Sequence, residues 1–143
     1  LDLINQKIEA SLKGANRQKD DVQLLAVSKV QPVEKIEAAL VEGHRLFGEN
    51  RVQEAALKWP ALKTKYPDTK LHLIGPLQTN KVKDAIMLFD VIETLDRLKL
   101  AEEIKKHSVK KGSDITCYVQ VNTGEEQQKA GVFPAEAEVF VRQ

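Results

Sequence analysis

Leu24-Leu25-Ala26-Val27-Ser28-Lys29, with Pro32 close behind, is the stretch from which the rest of the chain is read. A short apolar run of this kind is expected to be a buried strand of a parallel sheet. Gln31-Pro32-Val33-Glu34-Lys35-Ile36 then opens a helix, with Pro32 at its first position, where a missing N–H costs little. Lys29 therefore falls where a strand ends and a helix begins, the edge that carries the chemistry in α/β folds. A lysine is seldom buried unless it is paired or used. Partial burial is expected to lower its pKa and raise its nucleophilicity.

Similar apolar runs begin near Val22, Leu46, Leu71, Val91 and Ile115, at intervals of 24, 25, 20 and 24 residues. The stretches between them carry helical stripes. Ile4, Ile8, Leu12 and Ala15 line a leading helix, and Ile36, Ala39 and Leu40 line one that stops at Gly43. Asn50 is expected to cap a helix from Arg51 with Val52, Ala55, Ala56 and Trp59 inward, and Pro60 to break or kink it. Asp96 is expected to cap a helix through Leu98, Ala101, Ile104 and Ser108, ended by Gly112. Tyr66-Pro67-Asp68 reads as a turn.

Alternating apolar strands and helices imply an α/β fold with a parallel sheet. Two architectures fit: an open doubly wound sheet of five strands, and a (β/α)8 TIM-type barrel of which this chain supplies about the first five βα units. No linker divides the chain, so residues 1–143 are taken as a single domain. The chain starts at Leu1 rather than Met and stops at Gln143, inside a helix opened by Pro134 in which Val139, Phe140 and Val141 call for burial. A C-terminal part of the barrel is therefore expected to be missing. A chain cut there is expected to self-associate through open strand edges, and the full-length protein to be a monomer.

Composition narrows the function. Hydrophobic residues make up 42% and charged residues 30%, as in a globular domain. Lys and Arg number 22 against 21 Asp and Glu, a net charge of +1, which argues for neither nucleic-acid nor membrane binding. No stretch approaches the roughly 18 apolar residues that span a bilayer. The lone Cys117 fits a cytoplasmic protein and lies mid-strand, as a core residue. There is no Cys-x-x-Cys or His-x-x-x-His for zinc, no glycine-rich nucleotide loop and no Gly-x-Ser-x-Gly.

Four segments carry candidate chemistry. A lysine such as Lys29 at a strand's C-terminal rim can condense with a carbonyl compound, pyridoxal phosphate being the commonest. Phe47-Gly48-Glu49-Asn50 offers a glycine for close approach and an amide that donates and accepts. His72-Leu73-Ile74-Gly75-Pro76-Leu77-Gln78-Thr79-Asn80-Lys81 puts a histidine in an apolar strand, more in keeping with a satisfied core residue than a catalyst. Val121-Asn122-Thr123-Gly124-Glu125-Glu126-Gln127-Gln128-Lys129-Ala130-Gly131-Val132 is a long polar loop from which Lys129 can point back at a ligand.

In order and spacing these four segments resemble the pyridoxal phosphate homeostasis protein family, over about residues 3–133. The resemblance implies an alanine racemase N-terminal-domain type of barrel. It implies pyridoxal 5'-phosphate held as a Schiff base on Lys29, with Asn50 in the cofactor pocket and Lys129 as a second lysine for aldehyde transfer. It implies a carrier that serves vitamin B6 and amino-acid balance rather than an enzyme with its own turnover. Arg51 departs from the tyrosine expected after Gly-Glu-Asn. The family's phosphate cup belongs to the last third of the barrel, in line with the usual barrel phosphate site. The alternative is an amino-acid racemase of the same superfamily. That reaction needs a second acid/base, and the only tyrosines are Tyr66 and Tyr118.

Overall fold

A computed structural model describes residues 1–143. Helix α1 (Asp2–Gly14) leads into strand β1 (Ala26–Val27), α2 (Val33–Val41), β2 (Leu46–Glu49), α3 (Val52–Lys65) and β3 (Lys70–Leu73). Then follow α4 (Val82–Leu88), β4 (Val91–Leu95), α5 (Leu98–Lys111), β5 (Thr116–Val119) and α6 (Pro134–Arg142). The five strands are parallel and lie in the order β1-β2-β3-β4-β5. Each new strand is added on the same side, so the winding never reverses. A doubly wound sheet requires a reversal, and that alternative is excluded.

One face of the sheet makes the core. Phe47, Leu71, Leu73 and Ile92 project from the strands into a cluster of 17 buried apolar residues, to which Ile36, Leu40, Trp59, Leu62, Ile86 and Leu100 are among the contributors from the helices. Alternation along each strand sends the intervening side chains to the opposite face. There Val27, Gly48, His72, Glu93 and Tyr118 lie, since their neighbours Ala26, Phe47, Leu71, Ile92 and Cys117 all pack with the core. No helix is long and apolar enough to cross a membrane.

Several local expectations change in the structure. The run before Lys29 is not a buried strand: only Ala26 and Val27 join the ladder, paired with Phe47 and Gly48. β1 is the edge strand and pairs on one side only, so Leu24 and Leu25 are half-buried rather than enclosed. Pro32 precedes α2 rather than opening it. Asn50 and Asp96 are not caps; Arg51 and Arg97 occupy those positions, neither with a capping side-chain bond. Pro60 does not break α3, which continues to Lys65. Trp59 and Leu62, both buried, seat the helix on either side of the proline, and Ala56, whose carbonyl loses its partner, is exposed. That exposure also removes Ala56 from the expected inward stripe.

Other endings follow the sequence closely. The Gly43 and His44 N–H groups donate to the Leu40 and Ala39 carbonyls, both at 3.0 Å, the paired bonds of a Schellman motif. Gly112, in the left-handed region, ends α5. Tyr66–Thr69 closes as a turn through the Thr69 N–H and Tyr66 carbonyl. Pro134 does open α6, but Val139 and Val141 on it are exposed rather than buried. The leading helix α1 buries only Leu12 of its apolar stripe.

Candidate functional site

Lys29 lies just past β1 at the C-terminal rim of the sheet. The Gln31 N–H donates to the Ser28 carbonyl at 3.1 Å, closing a tight turn with Lys29 and Val30 at its centre. Val30 has φ 60°, whereas Lys29 stays on the negative side. That pattern matches a type II turn, whose third position favours glycine. A β-branched residue in the left-handed region costs roughly 1–3 kcal/mol and persists only where its surroundings hold it there. Lys29 is exposed, so the expected partial burial is absent. β1 is the edge strand of the sheet, so no further strand lies beside Lys29.

What holds the turn is a charged group on its helix side. Glu49, at the end of β2, is fully buried. Its Oε1 accepts from Ser28 Oγ at 2.7 Å and from Trp59 Nε1 at 3.1 Å, and lies 2.8 Å from Lys58 Nζ. Lys58 also pairs with Glu54 Oε1 at 2.8 Å and donates to the Ser28 carbonyl at 3.1 Å. Glu54 Oε1 in turn accepts the Val30 N–H at 2.6 Å. Burial works against the charge on Lys58, yet the bonds to Glu49 and Glu54 outweigh it and raise its pKa. The Lys58 ammonium and the Val30 N–H lower the Glu54 pKa. Both charges are therefore secured at neutral pH.

Asn50 follows β2 on the same rim, half-buried. It lines a cleft of about 590 Å³ with Arg51, Gln53, Pro76, Gln78 and Lys81. This cleft sits between the start of α3 and the loop after β3, and Lys29 does not line it. Gly75 makes the close approach between these loops possible: a Cβ there would come within 2.2 Å of the Asn50 carbonyl oxygen. Gly48, expected to admit a ligand, instead faces the chain's own side chains, with Leu25 Cδ2 2.5 Å from where its Cβ would be.

Lys129 lies beyond β5, at the far edge of the sheet from β1. Its ammonium pairs with Glu126 Oε1 at 2.5 Å. Asn122, buried, braces that loop by donating its side-chain N–H to the Glu126 carbonyl at 2.8 Å. The structure thus places Lys29, Asn50 and Lys129 on one rim, but on separate strand ends and in no shared cavity.

His72 is buried, with Nδ1 2.6 Å from Glu93 Oε1, so it is satisfied as expected, although it lies outside the apolar core cluster. The pair lies on the face of the sheet away from the helices. Tyr66 ends α3 and stacks near the Arg45 guanidinium, whereas Tyr118 sits exposed on the open face. Cys117 packs against the core, and burial pushes its thiol pKa up.

The Glu49–Lys58–Glu54 group escaped sequence reading. Its one local signal is the Glu54/Lys58 spacing of four on a helix, which ordinarily marks a solvent-exposed pair. A glutamate in the apolar run Leu46-Phe47-Gly48-Glu49 is the second signal, since a carboxylate is rarely buried without a partner. Glu93 was likewise indistinguishable from a surface acid.

Residues 4–143 match the alanine racemase N-terminal domain family. The chain belongs to that family. The curated relatives it resembles include the pyridoxal phosphate homeostasis protein of Haemophilus influenzae, 38% identical over 136 residues, covering 95% of this chain and 57% of that protein. Among solved structures it resembles PipY of Synechococcus elongatus determined without PLP. The TM-score is 0.80 at 38% identity, covering 98% of this chain and 63% of PipY. PipY with PLP bound is also similar, at a TM-score of 0.78 and 36% identity over the same shares of both chains. These matches bear out the resemblance drawn from the four segments. The chain spans less than two thirds of the length of each of these proteins.

Proposed function

We propose that the protein carries pyridoxal 5'-phosphate as a Schiff base on Lys29 and serves intracellular vitamin B6 and amino-acid homeostasis. The observation that carries this reading is a free amine at a strand's C-terminal rim. The ion pairs of this rim are made by Lys58 and Lys129 and leave Lys29 unengaged. Lys29 would hold the cofactor through its side-chain amine, and the cofactor would supply an aldehyde that condenses with it reversibly, with loss of water, so that it could be stored and released without net chemistry. The name of the Haemophilus influenzae relative and the PLP-bound state of PipY support this reading.

The five strands form, on this proposal, one arc of a (β/α)8 barrel in a single domain, of which residues 1–143 are the N-terminal part. The unreversed strand order supports it. Asn50 is a cofactor-pocket residue and Lys129 a second aldehyde acceptor, released from Glu126 when it acts. We place the protein in the cytoplasm, in keeping with its one cysteine.

Borohydride reduction of the protein after exposure to pyridoxal phosphate, followed by peptide mapping, tests the assignment. The expected label is on Lys29, and it disappears in Lys29→Ala. A label confined to Lys129 sinks the assignment.

A further inference from the structure

We infer that Lys58, together with Glu49 and Glu54, is the positioning element that holds Lys29 for covalent attachment, an inference that rests on the reading of Lys29 as the attachment point. Lys29 makes no anchoring contact of its own. Its neighbours on both sides do. Ser28 is bonded through its hydroxyl to Glu49 and through its carbonyl to Lys58, and Val30 through its N–H to Glu54. Lys58 ties the two carboxylates together from the middle of α3, so one part-buried ammonium holds the chain on both sides of Lys29.

The backbone geometry says why an anchor is needed. Val30 at φ 60° is held where a β-branched residue would not stay unaided. Without the Glu54 contact the peptide after Lys29 can rotate back toward negative φ. That rotation loosens the turn from which the Lys29 side chain projects and frees its amine to wander. A simple stabilising role explains the arrangement less well. One carboxylate oxygen of Glu49 is buried with no partner, and a strained valine sits beside the free lysine. Both features cost stability, as expected where position rather than stability is served.

The test compares Glu54→Ala, Glu54→Gln and Lys58→Met with the unsubstituted protein. Two signals are read: borohydride-trapped label on Lys29 at limiting pyridoxal phosphate, and hydrogen exchange at the Val30 amide without it. Glu54 is partly exposed, so its variants are expected to fold, and thermal midpoints are recorded in parallel. Glu54→Ala is expected to slow labelling on the order of tenfold to a hundredfold, the cost of displacing a reacting group by up to about 1 Å. Val30 exchange is expected to quicken in the same variant. Glu54→Gln keeps an oxygen that accepts the Val30 N–H and is expected to restore most of both signals. Lys58→Met is expected to behave like Glu54→Ala. Labelling and exchange unchanged in Glu54→Ala overturn the positioning role, as does a lowered midpoint with normal labelling. Absence of label on Lys29 in the unsubstituted protein overturns the attachment reading, and the positioning role with it.

Discussion

On the helix side of the sheet, Phe47, Leu71, Leu73 and Ile92 of the middle strands are 2% exposed or less, whereas on the opposite side of the two edge strands Val27 is 48% exposed and Tyr118 52%. Strand alternation deals every strand's side chains to these two faces. The helix face is closed by apolar packing from successive helices. The other face is exposed at its two edges, at Val27 and Tyr118, and holds Gly48 and the His72–Glu93 pair between them. Parallel sheets ordinarily have both faces covered. The difference teaches where stability and chemistry separate in this molecule: one face holds the strands together, and the other is left to present groups at the rim.

The comparison breaks most readily at Trp59. It is fully buried, packs on Phe47 at 5.1 Å between ring centroids, and donates to Glu49. Trp59→Ala is expected to cost about 3–5 kcal/mol in chemical denaturation, as large aromatic truncations do. A loss under 1 kcal/mol would mean that the helix face does not carry the fold. Gly75, in the loop after β3, lies directly against the Asn50 backbone. Gly75→Ala drives a methyl into the Asn50 backbone, and overpacking of this kind costs about 1–3 kcal/mol. An unshifted denaturation midpoint would show that the two loops separate freely. The smallest effect is expected on the open face: Val27→Thr should change stability by less than about 0.5 kcal/mol. A larger loss would reveal that something covers that face in solution.

Legibility in the sequence tracks the range of the interactions. The βα alternation, the glycine ends of α2 and α5 and the turn at Tyr66 were all readable, because each depends on residues within a few positions of one another. Caps failed at Asn50 and Asp96 because the choice of first helical residue was set by how the preceding strand docks. The strand before Lys29 was over-read because β1 lies at the edge of the sheet and pairs on one side only. The burial expected of Lys29 failed for the same reason: an edge strand has no second neighbour to cover the turn.

The sequence by itself determined the class of fold, the order of its elements and the rim on which Lys29, Asn50 and Lys129 fall. Periodicity and spacing are local properties and survive without tertiary information. Only the tertiary structure decided which strands are neighbours, that the winding never reverses, and that a glutamate in β2 meets a lysine and a second glutamate in α3. Those contacts join residues as far apart as Ser28 and Lys58. Buried charges in such contacts satisfy one another only once the chain has folded around them.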